Sequence, residues 1–403
     1  MASEKMYDLA FQYKATKLWK KLYDDEIFAV QLSDGETGYC CVMGMLGDHI
    51  SLALYVGEDG YLSYRDIANG VPDPSDVIAM GELMTCQDCL QCSFENKDML
   101  SGEELEEVRQ YAKAHEKQLR GKNAFPQFIK YQPGRYPWHY DTETDERRIC
   151  EALSAAIELA KLLQGHTKQE LQLHAIREGF TEIPLFCHDG DQWIVNHTTL
   201  PEATRKYPAP VIENEILTTK IRRMKKKGAW ECGTMRLSTP VQDEGDKAPY
   251  FPMVLLSVDR GEGYVFPPVI SDGEDAAEIA NKFGSELLTT ACPRSIRAGD
   301  DRCFAILQDL CKKVGIQLKR EDHLEALDEA MQELFFGLGG DEDENDGAMP
   351  DPEELETLCE ALMAMRDGEL KQMPVDMVNM LLGLADLGFV PSKLAKRLRK
   401  LFQ

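Results

Sequence analysis

The hydrophobic pattern presents one order of elements twice, from Trp19 to Leu163 and again from Trp230 to Phe336. In the first copy, three apolar runs are separated by turn signals such as Asp34-Gly35. Tight hairpin turns need positive φ at such positions, so the pattern predicts an antiparallel meander. Residues 61–67 fit a fourth strand or a short helix. The remaining predicted elements of this copy are strands over 27–32, 39–43, 50–56, 84–94 and 124–131 and a helix over 142–163.

The second copy also begins with a meander and then alternates helices with strands. Apolar runs over 230–237, 251–258 and 264–270 predict its three antiparallel strands. Strands alternating with helices after a meander favour a mixed sheet with crossover connections. The predicted fold class is therefore α/β with mixed sheets, with α+β left open. The later elements are helices over 275–288, 301–314 and 323–336 and strands over 295–297 and 316–318.

Breaks in the pattern and shifts in composition divide the chain into five segments. A hairpin with Asp189-Gly190 at its tip precedes Pro201, Pro208 and Pro210. Past Phe336 the chain becomes rich in glycine and then in acidic residues, which is typical of a linker. The predicted domains are a first α/β domain over 1–164, a connecting hairpin and Pro-rich linker over 165–210, a second α/β domain over 211–337, an acidic linker over 338–352 and a helical tail over 353–403.

Charge and hydropathy limit the classes of partner. The 403 residues carry a formal net charge of -25, which opposes sequence-independent binding to nucleic acid or anionic lipid. The sequence contains no apolar run close to the roughly 20 residues that cross a bilayer and no apolar signal segment after Met1. We therefore expect a cytoplasmic protein with protein partners, no membrane span and no general affinity for nucleic acid.

Two local basic patches depart from this acidic average. One patch follows the helix-like run over 212–217 and fits a cationic helix end, which the helix macrodipole favours; it consists of Lys220, Arg222, Arg223, Lys225, Lys226 and Lys227. The segment 392–402 alternates leucines with lysines and arginines at the spacing of an amphipathic helix. This last helix fits docking onto the chain's own tail, and a partner or a membrane surface is the alternative.

The second copy resembles the ribonuclease H-like fold of nucleases, integrases and transposases. In that fold a three-stranded meander precedes helix, strand, helix, strand and helix. The segments that carry the resemblance are Trp230-Glu231-Cys232-Gly233, Val258-Asp259-Arg260-Gly261, Arg297-Ala298-Gly299-Asp300-Asp301 and Leu324-Glu325-Ala326-Leu327-Asp328.

The resemblance implies two-metal catalysis with Mg²⁺ or Mn²⁺ held by converging carboxylates. Asp300 or Asp301 matches the acid after the fourth strand, and Glu325 or Asp328 matches the acid on the last helix. Members of the fold place an essential Asp on the first strand, where this chain offers only Glu231. The resemblance is therefore to a degenerate form of the site. Asp300 and Asp301 fit equally well as the N-cap and first-turn acid of the following helix.

The motif Cys86-x-x-Cys89-x-x-Cys92 is the densest group of metal-ligating residues among the 12 cysteines. Three thiolates at this spacing can hold part of a zinc or iron-sulfur site, which usually needs a fourth ligand. On a strand, however, a spacing of three places successive thiols on opposite faces. Buried free thiols, a metal site and redox sensing therefore stay open as interpretations.

Two short runs, Leu54-Tyr55-Val56-Gly57 and Gln87-Asp88-Cys89-Leu90, resemble bacterial families known only as domains of unknown function. Nucleophile elbows, Walker loops and dinucleotide fingerprints are absent from the sequence. The sequence thus favours an interaction or regulatory protein without chemistry or a cofactor of its own. The alternatives are a metal-dependent enzyme that cleaves phosphodiesters with Mg²⁺ or Mn²⁺ and a thiol-ligated metal protein.

Overall fold

Two mixed β-sheets flanked by helices form the larger part of the chain. The computed structural model describes residues 2–337 except 48, 72–75, 191, 203, 243–246 and 274, and beyond them 362–363, 370 and 392–402. Contacts within the chain separate residues 1–337 from residues 338–403. Both sheets belong to the first of these units, and the fold class is mixed α/β, as the hydrophobic pattern predicted.

The first sheet is a five-stranded meander extended by a hairpin. Its strand order is β5-β4-β3-β2-β1-β6-β7, with β6 parallel to β1 and all other neighbours antiparallel. The hairpin that the sequence placed between the domains supplies β6 and β7 and so forms part of this sheet. The strands are β1 (Phe28–Gln31), β2 (Thr37–Met43), β3 (Ile50–Val56), β4 (Cys89–Glu95), β5 (Phe125–Tyr131), β6 (Glu182–Asp189) and β7 (Gln192–Thr199).

The described N-terminal part of the chain also forms five helices, four of which pack against the first sheet or its flanking helices. α1 and α5 cover one face over a core that includes Phe28, Leu52 and Leu153, while α2 covers the other face over Tyr39 and Tyr55. Side chains cap two of these helices: Ser101 forms a capping box with Glu104, and Thr142 accepts a hydrogen bond from the Asp145 amide. The helices are α1 (Glu4–Thr16), α2 (Gly57–Asn69), α3 (Val77–Thr85), α4 (Gly102–Ala114) and α5 (Glu143–Leu162).

Two predictions for the first copy are corrected. Residues 61–67 lie within helix α2, which resolves the ambiguity between strand and helix. The strand predicted over 84–94 begins only at Cys89, because residues 77–85 form α3. The Asp76 carboxylate caps α3 by accepting hydrogen bonds from the amides of Ile78 and Ala79. Hydrophobicity alone does not separate a short buried helix from a strand when one apolar run leads into the next.

The second sheet has the strand order and directions of the ribonuclease H-like fold, as the resemblance predicted. Its order is β10-β9-β8-β11-β12; β8, β9 and β10 are antiparallel, β11 is parallel to β8, and β12 is parallel to β11. The strands are β8 (Ala229–Arg236), β9 (Met253–Asp259), β10 (Val269–Ser271), β11 (Ser295–Ala298) and β12 (Gln317–Arg320).

Helices cover the second sheet on both faces, and α3 also packs on β8. α6 (Glu215–Arg223), α7 (Ala276–Thr289) and α8 (Asp301–Val314) pack over Trp230 and Cys232 on one face. α9 (Glu325–Gly337) packs over the other face, on β8 and β9. Lys220, Arg222 and Arg223 occupy the last turn of α6, which confirms the predicted cationic helix end for these three residues, whereas the lysines at 225–227 lie beyond the helix.

The two sheets share a central arrangement and differ at their edges. In each, the first strand has an antiparallel meander on one side and a parallel strand on the other. The first sheet adds two antiparallel strands beyond its third strand, and its last strand is antiparallel where the last strand of the second sheet is parallel. The repeated pattern in the sequence thus corresponds to a shared centre of the two sheets.

In the second unit, the tail helix predicted at the end of the chain is α10 (Ser392–Phe402). Lys393, Lys396 and Lys400 are exposed, and Arg397 donates a hydrogen bond to the carbonyl oxygen of Met363 (3.2 Å). The predicted acidic linker over 338–352 lies outside the described residues, as does the predicted helical tail over 353–403 apart from 362–363, 370 and 392–402. None of the described helices has both the length and the apolarity that a bilayer span requires.

Lys14 of α1 provides a pH test of the first core. Its ammonium donates to the carbonyl oxygen of Asn123 and lies 4.7 Å from the centre of the Phe94 ring. Burial lowers the pKa of Lys14 from 10.5 to about 8. Between pH 8 and 10.5 Lys14 is protonated in the unfolded chain but largely neutral in the folded chain. Raising the pH across this window therefore increases the free energy of unfolding.

We expect Lys14→Met to flatten that rise between pH 8 and 10, measured by urea unfolding. Lys113→Met, at an exposed position of α4, removes the same charge and is the control. An equal pH dependence in wild type and Lys14→Met would contradict the assignment.

Candidate functional site

The middle of β8 and the end of β11 are packed directly against α9. A Cβ atom on Gly233 would lie 2.9 Å from Leu327 Cδ2, 3.1 Å from Met331 Cε and 3.4 Å from Asp300 Oδ2. A Cβ atom on Gly299 would also lie 2.9 Å from Leu327 Cδ2. A side chain at Gly233 would have to displace the ends of the Leu327 and Met331 side chains, and one at Gly299 would have to displace the end of Leu327. These apolar side chains occupy the space that a carboxylate at position 233 would need.

Asp300 is held by three protein donors. Its Oδ2 accepts from the Thr234 amide (2.6 Å), and its Oδ1 accepts from the Thr234 hydroxyl and the Cys303 amide (both 2.7 Å). The Cys303 bond makes Asp300 the N-cap of α8, which was one of the two predicted roles. The Thr234 bonds also attach this carboxylate to β8.

Glu231, the only acid on the first strand of the second sheet, is 4% exposed. Its Oε2 accepts from the Leu327 amide (3.3 Å), which belongs to the first turn of α9. Its Oε1 lies 3.5 Å from Nε of Arg260. The first amides of a helix lack partners within the helix, so Glu231 satisfies a donor that would otherwise be buried.

The other predicted acids lie away from these contacts. Asp301 is 75% exposed at its side chain, and its Oδ1 pairs with Nε of Arg320 (2.8 Å). Glu325 and Asp328 are exposed on α9. Burial raises the pKa of Asp328, an effect that the nearby His323 partly offsets. Among the described residues, no group of three or more His, Cys, Asp or Glu side chains is arranged to hold a metal ion.

The thiols of the cysteine motif do not face one cavity. Cys92 belongs to the core under α1 and α5, whereas Cys89 belongs to the core on the opposite face of the first sheet. Cys86 lies at the C-terminal end of α3. Burial raises the pKa of Cys86 to about 11 and that of Cys89 to about 12, and it raises the pKa of Cys92 further. All three are free thiols.

A cleft between the two sheets gathers four arginines. It consists of two adjoining cavities of about 260 and 390 Å³, and Arg205, Arg236 and Arg302 line both. Arg135 lines the smaller one and donates to the carbonyl oxygen of Ala248 (2.8 Å). The apolar part of the wall includes Met253, Ile279, Ile306 and Leu83.

Carboxylates hold two of these arginines. Arg302 and Glu82 form a two-point ion pair between α8 and α3, at 3.1 and 2.9 Å. Arg205 pairs with Asp66 (2.7 Å). The Arg302 guanidinium also lies 5.2 Å from the centre of the Tyr207 ring. Asp272 is a further carboxylate in the wall of the smaller cavity.

Arg236, at the end of β8, lies against two glycines. Gly134 and Gly273 have φ of +77° and +82°, which favours glycine. A Cβ atom on Gly134 would overlap the Arg236 guanidinium, and one on Gly273 would lie 3.2 Å from its Nη1. Nη1 donates to the carbonyl oxygen of Phe251 (3.0 Å). Burial, followed by the charge of Arg302, lowers the pKa of Arg236.

Sequence reasoning missed this cleft. Its arginines come from a loop, a linker, a strand end and a helix start, and no local spacing relates them. The prolines and glycines at 133–134 and 272–273 are the nearest signal, because they mark turns, but turns alone do not indicate convergence.

Family models match two separate parts of the chain, both described as a domain of unknown function: DUF7309 over residues 4–178 and DUF6930 over residues 218–335. This agrees with the resemblance to families of unknown function. No curated protein matches the chain.

Integrases are among the solved structures that match. The catalytic core domain of HTLV-2 integrase in complex with magnesium is 16% identical, with 44% of this chain and 82% of that chain covered and a TM-score of 0.19. A simian T-cell lymphotropic virus intasome in complex with PP2A regulatory subunit B56 gamma is 14% identical, with 55% of this chain and 59% of that chain covered and a TM-score of 0.21. At these TM-scores the likeness is too low to be used, and the ribonuclease H-like fold is assigned from the order and directions of the strands in the second sheet.

Proposed function

We propose that the protein is a non-catalytic interaction or regulatory protein of the cytoplasm, in which the ribonuclease H-like domain serves binding. The observation that carries the proposal is the set of contacts of Asp300. Its oxygens accept three protein hydrogen bonds, and Gly233 beside it faces Leu327 and Met331. The carboxylate is thus committed to holding β8 and α8 together.

Two-metal catalysis makes a different demand on the same region. Two hard cations need several carboxylates that converge with free lone pairs and leave room for water and substrate. Here Glu231 binds an α9 amide, Asp301 binds Arg320, and apolar side chains of α9 fill the space next to Asp300. A metal ion would have to displace these bonds and the side chains of Leu327 and Met331. Phosphodiester cleavage by Asp300, Asp301, Glu325 and Asp328 is therefore the weaker proposal.

For the cysteine motif we propose a packing role. Cys89 and Cys92 occupy different cores, and burial favours their neutral thiol forms, whereas a metal binds the thiolate. This supports free thiols over a zinc or iron site built on Cys86, Cys89 and Cys92.

Asp300→Ala tests the structural role of this carboxylate. The change removes a helix cap and leaves the Thr234 amide without its acceptor, so we expect a loss of about 3 kcal/mol in the free energy of unfolding. Asp301→Ala, one residue away, breaks an exposed ion pair and should cost less than about 1 kcal/mol. Chemical denaturation of both variants gives the comparison, and equal small losses would contradict the proposed role.

Metal titration tests the absence of a catalytic site. We expect Mg²⁺, Mn²⁺ and Zn²⁺ to shift the melting temperature no more than matched concentrations of an inert salt. A bound metal at 100 times its dissociation constant would instead add about 2.7 kcal/mol of stability. Elemental analysis of purified protein should accordingly show no stoichiometric zinc or iron.

The double variant Asp300→Asn/Asp301→Asn is the control for this titration. Stabilisation by Mn²⁺ in the wild type that disappears in the double variant, together with cleavage of a nucleic-acid substrate, would establish the enzyme and overturn our proposal. Stoichiometric zinc that is lost in Cys86→Ser would establish the thiol-ligated metal protein instead.

A further inference from the structure

The arginine cleft lies at the carboxyl ends of two parallel strands that leave the centre of the second sheet. Arg236 ends β8, and Arg302 follows β11, the parallel neighbour of β8. From β8 the chain continues to β9 on one side, whereas β11 lies on the other. Crevices outside the carboxyl ends of strands, where the strand order reverses, are where open α/β sheets bind ligands. The position in the fold therefore points to a binding site.

The charge at Arg236 is incompletely balanced by the protein. Within the described residues, Arg236 forms no ion pair, and its hydrogen bond goes to the neutral carbonyl oxygen of Phe251. Burial and the neighbouring Arg302 disfavour its charged form, and Glu82 and Asp272 offset only part of this effect. A cation held in this way is stabilised by any anion that enters the cleft.

Burial disfavours the cationic form of Arg302, but the charge and the hydrogen bonds of Glu82 more than offset this and raise the pKa of Arg302. It lies in the first turn of α8, whose N-terminal amides carry partial positive charge. Glu82 compensates from the α3 side, and the guanidinium remains in the wall of both cavities beside Tyr207. Two arginines thus face one space from the ends of adjacent strands.

We infer that the cleft binds a small molecule carrying a phosphate monoester, with the phosphate on Arg236 and Arg302. Planar guanidinium groups match the oxygens of a phosphate in two-point hydrogen bonds. The two adjoining cavities are of the size that small ligands occupy, and Met253, Ile279 and Ile306 offer apolar contact to the rest of the molecule. A long polyanion would meet the net charge of -25, which favours a compact ligand.

Calorimetry on the full chain with AMP, ribose 5-phosphate, inorganic phosphate and adenosine tests the inference. At constant ionic strength, we expect AMP to bind at least about tenfold more tightly than adenosine, because the phosphate adds charge-assisted hydrogen bonds. Ribose 5-phosphate and inorganic phosphate should compete with AMP. If no phosphate compound binds, or if AMP and adenosine bind equally, the inference is overturned.

Two variants assign the binding to the cleft. Arg236→Gln should weaken AMP binding about tenfold or more, whereas Arg223→Gln, with the same charge change on an exposed position of α6, should leave it unchanged. Gly134→Ala keeps every arginine but displaces the Arg236 guanidinium, so it should also weaken binding. If Arg236→Gln and Arg223→Gln weaken AMP binding equally, the effect would come from the net charge of the protein and not from a specific contact, and the proposed site would be wrong.

The inference rests on the proposed function and adds a ligand class to it. The experiments can contradict the phosphate site and the non-catalytic function independently of each other. A lack of phosphate binding would remove the cleft as a site without giving Asp300 a catalytic role. Metal-dependent cleavage that persists in Arg236→Gln would overturn the non-catalytic proposal and leave the phosphate site in place.

Discussion

The contacts of Asp300 connect most of the features of the second domain. One carboxylate accepts from the Thr234 amide and hydroxyl on β8 and from the Cys303 amide in the first turn of α8. It therefore fixes where α8 begins relative to the centre of the sheet. Arg302 lies two residues further along, so the same contacts set the place of this guanidinium in the cleft. Removing this carboxylate would leave the Thr234 and Cys303 amides without their acceptor, which is costly for partly buried donors.

Glycine at two positions determines what the other face of the same strands can do. Gly233 and Gly299 allow Leu327 of α9 to approach the backbone, and Glu231 then accepts from the Leu327 amide. A larger residue at 233 would have to displace the ends of the Leu327 and Met331 side chains. The strand order of the fold is thus present without a group of converging carboxylates among the described residues, and strand order alone does not imply activity.

The sequence predicted most helices and strands, but it did not predict which side chains from distant segments come together in the folded chain. Long periodic helices such as α5 and α8 and turn signals such as Asp34-Gly35 are local, and the structure confirms them. The apolar run through α3 carried no period that separated helix from strand, so the strand predicted from Met84 was wrong in its first part. The cleft arginines come from four separate segments, and only the packing of α3 on β8 and α9 brings Glu82 to Arg302.

The positive cleft and the acidic surface act over different distances. At physiological ionic strength, exposed charges more than about 8 Å apart are largely screened, whereas charges within a partly buried cleft are screened less. A small anion that reaches Arg236 therefore experiences mainly the nearby guanidinium groups and the carboxylates of Glu82, Asp66 and Asp272. A chain of phosphates extending beyond the cleft would lie against the acidic surface along most of its length. The same charge distribution thus opposes a polymer and favours a single compact anion.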